Sequence, residues 1–243
     1  MMSTIIARAT APLSTAADPT DLTGASLTRR VFLAGAVSSV SLAALTLAAP
    51  IALAQAQREE IPEAELMAEG TLPDIVYGSP DAKVTVVEYA SMTCGHCANF
   101  HTTIFPELKK KYVDTGKVKF VVREFPLDNL AAAASMLTRC TNTKEKQAAL
   151  TDALYKRRSE WVIRGNPVPR LFDIAKQVGF TEKTFNACLQ DQELLRKIAA
   201  VRERGSEKFG VNATPTFFIN GKRFRGGSVE AFAEVIDPLL KSS

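Results

Sequence analysis

The sequence predicts an α/β fold whose sheet is interrupted along the chain by an inserted all-helical subdomain. Three observations carry this. Between residues 84 and 125 two β-type runs flank a helical stretch, the pattern of a strand–helix–strand unit with parallel strands. Residues 126–205 have no convincing strand pattern. The chain then returns to β spacing at Thr216-Phe217-Phe218-Ile219 and turns at Asn220-Gly221.

Bulk properties narrow the class. Of 243 residues, 46% are hydrophobic and 23% charged, so the chain can bury a core and is not disordered throughout. The net charge of +4 is spread along the sequence, which argues against nucleic acid as a partner. Lys109-Lys110-Lys111 and Lys156-Arg157-Arg158 read as solvated helix faces. Four cysteines do not make a disulfide scaffold; their spacing matters more than their number.

Residues 1–56 read as an export signal. Thr28-Arg29-Arg30-Val31-Phe32-Leu33 opens an almost charge-free apolar stretch that closes on Ala52-Leu53-Ala54 and Ala54-Gln55-Ala56. A basic region, an apolar region and a small-residue exit form a secretory signature. The adjacent arginines resemble the twin-arginine signal. An ordinary secretory signal and an uncleaved anchor remain as alternatives, although Ser38, Ser39, Ser41, Thr46 and Pro50 weaken a permanent span. Each version puts the folded part outside the cytoplasm, and a cleaved signal puts it in the periplasm, where disulfides persist.

The remaining elements follow in order. Residues 57–73 are acid-rich, with Pro62, Gly70 and Pro73, and read as a flexible lead-in. Val84-Thr85-Val86-Val87-Glu88-Tyr89-Ala90 suits a buried central strand. Cys97, Phe100, Ile104, Phe105, Leu108 and Tyr112 recur at helical spacing, and Pro106 should kink that helix. Val118, Phe120 and Val122 alternate in the returning strand. Helices are expected over 130–140, 144–161, 169–178, 181–189 and 191–208, with Thr181 and Asp191 as N-caps. A hairpin and a last helix, with Phe232, Val235, Ile236, Leu239 and Leu240 on one face, complete the chain. Residues 74–125 and 206–243 then form one domain, and 126–205 its helical insertion.

Chemistry concentrates at Cys94-Gly95-His96-Cys97, between a buried strand and an amphipathic helix. At a helix start, free N–H groups and the macrodipole favour an anion. Cys94 should therefore be a thiolate near neutral pH, nucleophile and leaving group alike, and the His96 imidazole would stabilise it further. Stabilising the reduced form makes the disulfide a stronger oxidant. The competing reading is half a zinc site, with His101 completing a Cys-x-x-Cys-x-x-x-His pattern. It lacks an evident fourth ligand, since Cys140 and Cys188 fall singly on other helices. His101 then reads as a helix-face residue, and no metal or cofactor is expected.

Glu88-Tyr89-Ala90-Ser91-Met92-Thr93-Cys94-Gly95-His96-Cys97, with Asn212-Ala213-Thr214-Pro215-Thr216-Phe217-Phe218 downstream, resembles the thioredoxin superfamily, and within it the DsbA-type bacterial oxidases. The resemblance runs from about residue 74 to 240 and implies a thioredoxin-like fold with a helical insertion. It also implies roles. Glu88, six residues before Cys94, would shuttle a proton for the inner thiol. Pro215 would be a cis-proline beside the motif, and Thr214 would offer its backbone to an extended substrate peptide. Exported proteins with reduced cysteines would be the substrates, and a DsbB-type membrane oxidase would restore the disulfide. One departure matters: Gly95 stands where DsbA has proline, and Cys-Gly-His-Cys is the pattern of protein disulfide isomerase. The two prototypes sit at about −120 and −180 mV, and a value in or near that range is expected.

Cys140 and Cys188 both point into the helical subdomain by their spacing. They are either bonded or two core thiols; some related oxidases carry a second, structural disulfide here. Against the oxidase reading stand a reductase or isomerase kept in the dithiol form, and a non-catalytic holding chaperone.

Overall fold

The computed structural model describes residues 58–242; the expected export signal lies outside them. A five-stranded sheet has the order β1-β3-β2-β4-β5. Its strands are β1 (Ile75–Tyr77), β2 (Val84–Ala90), β3 (Val118–Glu124), β4 (Thr216–Ile219) and β5 (Lys222–Phe224). As the strand–helix–strand pattern requires, β2 and β3 are parallel. β4 returns antiparallel to β2, and β5 antiparallel to β4. β1, too short to have been read from the sequence, adds antiparallel to β3. The β4–β5 hairpin turns at Asn220 (φ 45°) and Gly221 (φ 83°); positive φ at both is what an Asn-Gly turn supplies.

β2 is buried along its whole length, because both faces of the sheet are covered. Alternation divides its side chains between two core layers. Val84, Val86 and Ala90 join Phe100, Phe105, Phe120, Phe217 and Phe232. Val87 and Tyr89 join Ile61, Leu66, Phe209 and Phe218. Glu88, in phase with Val86, points into the first layer. Gly205 lets the helix Gln192–Phe209 approach the second: a Cβ there would lie 2.7 Å from the Tyr89 ring.

Residues 95–113 form one helical rod in which α segments Gly95–Asn99 and Phe105–Leu108 alternate with π turns Phe100–Ile104 and Lys109–Val113. The disturbance expected at Pro106 takes the form of a widened turn before it: Phe105 N–H bonds Phe100 O. A π turn re-registers the ladder around a residue that cannot donate.

The insertion contains helices Asn129–Arg139, Lys144–Lys156, Arg158–Trp161, Val168–Ala175, Glu182–Leu189 and Gln192–Phe209. Thr181 and Asp191 cap as expected, accepting from Thr184 N and Leu194 N. The single helix expected over 144–161 breaks at Arg157 (φ −103°, ψ 20°), where the chain turns so that Trp161 is buried and donates to Leu154 O at 2.8 Å. No helix among the described residues is long and apolar enough to cross a membrane.

One expectation is corrected. The acid-rich segment before residue 74 is packed rather than a loose lead-in. Ile61 and Leu66 are 1% exposed, Ile61 N–H donates to Gly221 O at 2.9 Å, and Arg223 N–H to Glu59 O at 2.7 Å. Two apolar side chains and these backbone bonds dock it.

Cys140, at the C-cap of Asn129–Arg139 rather than inside the helix, is bonded to Cys188 across a separation of 48 residues. Closing a loop of that length contributes about 4 kcal/mol in the chain-entropy model. Replacing both residues by alanine should lower unfolding stability by about 3–5 kcal/mol, read from urea denaturation, and leave the Cys94–Cys97 pair reactive.

Candidate functional site

β2 delivers the chain to the site and the helix at residue 95 starts there. Between them, Ser91–Thr93 are fixed by local bonds: Cys94 N–H donates to Ser91 O at 3.1 Å, and Thr93 Oγ1 to Asp128 Oδ2 at 2.7 Å. Cys94 is the N-cap residue, with extended backbone (φ −73°, ψ 124°), and its sulfur accepts from Cys97 N–H at 3.4 Å. From the other side the loop before β4 closes on it. The Thr214–Pro215 bond is cis, and the Cys94 thiol donates to Thr214 O at 3.2 Å. Both cysteines are free thiols; Cys94 is 9% exposed and Cys97 0%.

The two sulfurs are treated in opposite ways. The Cys94 thiol is pulled down from 9.0 to about 5. The leading cause is the hydrogen bond from the Cys97 thiol, which outweighs the opposing effect of burial. The backbone N–H groups of Cys97 and His96 add to it. Cys97 moves far above its ordinary value, through its hydrogen bond to Cys94, through burial and through the charge of Glu88. His96, whose imidazole is expected to steady the anion, is exposed at the rim of the site, and its backbone N–H contributes to holding the Cys94 sulfur as an anion.

Under the cysteines Glu88 is 0% exposed. Its Oε2 lies 2.9 Å from His101 Nε2, while Oε1 is buried without a partner among the described residues. His101 is therefore corrected from a helix-face residue to a buried one, 6% exposed. Its ring stacks on Tyr155 with centroids 4.4 Å apart and planes 10° from parallel. Tyr155 is fully enclosed, and burial holds its hydroxyl well above the ordinary tyrosine value. The zinc alternative needed His101 beside the two cysteines; instead its Nε2 engages Glu88. Among the described residues no group of three or more His, Cys, Asp or Glu is placed to hold a metal ion.

The structure thus gathers Glu88, Cys94, Cys97, Thr214 and Pro215 into one site, with the His96 side chain at its edge and the Cys140–Cys188 bond apart from it in the insertion. Three contributors escaped the sequence reading. His101 and Tyr155 were hidden because Glu88 claims the ring and the insertion supplies the stack. Arg158, expected on a solvated helix face, is half-buried and donates to Thr93 O at 2.7 Å. Only the i, i+4 spacing of Cys97 and His101 signalled that the imidazole shares the inner face.

An arrangement of one acidic, partly reachable thiol and one buried, reluctant thiol suits thiol–disulfide exchange, and comparison with known proteins points the same way. The family model described as Thioredoxin matches residues 71–238. A Rickettsia bellii protein provisionally named protein-disulfide oxidoreductase is 35% identical over 170 residues, 70% of this chain and 66% of that protein. A Rickettsia conorii counterpart is matched over 61% of its length, so the chain spans less than two thirds of these curated relatives. Disulfide bond formation protein D of Bacillus subtilis is 29% identical over 68% of this chain and 77% of its own. Among solved structures, alpha-DsbA1 of Wolbachia pipientis shares 32% identity at a TM-score of 0.69, covering 75% of this chain and 97% of that one. On the extent of these matches and the geometry of its two cysteines, the chain belongs to the thioredoxin superfamily, in its DsbA-type branch.

Proposed function

We propose that this chain is a thiol–disulfide oxidoreductase that works as a dithiol oxidase in the periplasm, giving its Cys94–Cys97 disulfide to exported proteins with paired thiols. The observation that carries this reading is the opposed treatment of the two sulfurs. An anion favoured at Cys94 stabilises the reduced pair, and a stabilised reduced pair means a strongly oxidising disulfide. The export signal read from residues 1–56 and the branch to which the chain belongs support the compartment and the direction.

In the forward reaction a substrate thiolate attacks the Cys94 sulfur. The Cys94–Cys97 bond breaks, its electron pair leaves on Cys97, and that sulfur takes up a proton through Glu88. A second substrate thiolate then attacks the substrate sulfur of the mixed disulfide, and Cys94 departs as an anion. The substrate loses two electrons and two protons. The enzyme gains two electrons and one proton, and the other proton goes to solvent. The loop at Thr214 and Pro215 lies against Cys94 and offers the backbone on which an extended substrate would lie. A DsbB-type membrane oxidase linked to quinone would take the electrons onward.

Trapping tests the exchange. Cys97→Ala should accumulate substrates bound through Cys94, recovered as reducible adducts from cells; an empty trap contradicts the reading. A holding chaperone would instead keep its function with both active-site cysteines replaced by serine.

Glutathione equilibration tests the direction. The potential at pH 7 should lie between about −120 and −180 mV, whereas a value below about −230 mV would favour a reductase. Its pH dependence has a defined sign. Because Cys94 sits below its ordinary value, its ionisation stabilises the reduced folded form fully above pH 9.0, and this is lost as pH falls through about 5. Above pH 5 one proton accompanies two electrons, so the potential should fall by about 30 mV per pH unit; below it, by about 60.

A further inference from the structure

Each turnover must bring a proton to Cys97 and later remove it, yet neither Cys97 nor Glu88 has any exposed surface. Something must connect them to solvent. We propose that His101, with the cavity it lines between the rod of residues 95–113 and the helix Lys144–Lys156, is that connection: a relay that carries the proton between Glu88 and water. This rests on the reading of Glu88 given above and extends it outward.

Four observations converge on this route. First, among the described residues the buried carboxylate hydrogen-bonds to His101 Nε2, at 2.9 Å from Oε2, which leaves Oε1 unpartnered there. Second, His101 is part of the wall of a cavity of about 370 Å³ whose other lining includes Tyr77, Thr151, Asp152 and Lys156. Third, that cavity reaches water: Asp152 and Lys156 form an ion pair of 2.7 Å at its rim, 49% and 58% exposed. Fourth, Thr151 Oγ1 in the same wall is buried and has no partner among the described residues. A hydroxyl so placed is one that water satisfies, and it can pass a proton in either direction.

The chemistry suits the geometry. An imidazole has two nitrogens that can take a proton on one side and release it on the other. The π turn Phe100–Ile104 carries His101, and such turns recur at functional sites. The Tyr155 stack fixes the ring plane. Facing His101 are Glu88 from β2, Tyr77 from β1, Tyr155, Asp152 and Lys156 from the insertion, and Lys109 from its own rod. Of these, burial pushes the Tyr77 hydroxyl up to about 12, with Glu88's charge adding to it, so neither tyrosine exchanges protons near neutral pH. When Cys97 leaves as an anion, the proton passes from Glu88 to sulfur, and His101 resupplies Glu88 from the cavity. Reoxidation runs the same path outward. His101 touches neither reacting sulfur; it acts through Glu88.

A merely structural partner for Glu88 would be replaceable by any side chain that keeps the hydrogen bond. His101→Gln keeps a donor but cannot relay at neutral pH. Stopped-flow reduction of the oxidised protein by a dithiol peptide should therefore be slowed roughly tenfold or more in both His101→Gln and His101→Ala. Added imidazole should restore His101→Ala, where the side chain has left room, and should not restore Glu88→Gln. His101→Gln reacting at the wild-type rate would overturn the relay, and so would a folded His101→Ala that ignores imidazole. If His101→Ala fails to fold, His101→Gln decides. Glu88→Gln at the wild-type rate would overturn the route through Glu88 while leaving the oxidase reading intact. A wild-type disulfide that dithiols do not reduce would end both.

Discussion

The hydrogen bonding around the Cys94 sulfur is the constraint on which the rest of the site depends. Two identical side chains three residues apart become unequal because one sits at a helix start and the other one turn inside. The first receives the Cys97 thiol and the backbone N–H groups of His96 and Cys97; the second is buried above a carboxylate. This asymmetry needs the strand β2 to end at Ala90 and the helix to begin at Gly95. It also needs the Thr214–Pro215 loop to close from β4. Because β2 lies at the centre of the sheet, hydrogen-bonded on both sides and covered on both faces, the position of Cys94 is inherited from the whole core rather than from a flexible loop.

Beneath the cysteines the fold accepts a burden that cores normally avoid. A carboxylate with no exposed surface is costly unless it is neutral or partnered, and here one oxygen is bound by His101 while the other stands alone. The helical insertion makes this tolerable. It supplies Tyr155 against the imidazole and encloses the cavity beside it. Its Arg158 also clasps the carbonyl just before Cys94. The insertion is thus part of the site's construction, and the Cys140–Cys188 bond ties together two of its helices.

Much of this was legible in the sequence, for identifiable reasons. Central strands announce themselves by unbroken β-branched runs, so β2 and its parallel partner were evident, as were the Asn-Gly hairpin and the caps at Thr181 and Asp191. Cys-Gly-His-Cys at a strand–helix junction located the reactive pair, and its place six residues after Glu88 located the acid by resemblance. What stayed hidden was decided by contacts between distant segments. Ile61 and Leu66 dock a segment whose composition reads as solvated. A three-residue edge strand has too few positions to show alternation. The imidazole at 101, which enters the core, read only as a helix-face residue because its partner lies thirteen residues back on another element.

The most direct test of this account is a titration of Cys94 in the reduced protein, followed by thiolate absorbance with Cys97→Ala as a comparison. The account places the midpoint at about 5 in the native chain and higher in Cys97→Ala, where the principal hydrogen bond to the sulfur is gone. A native midpoint at the ordinary thiol value of 9.0, or one indifferent to the loss of Cys97, would contradict it.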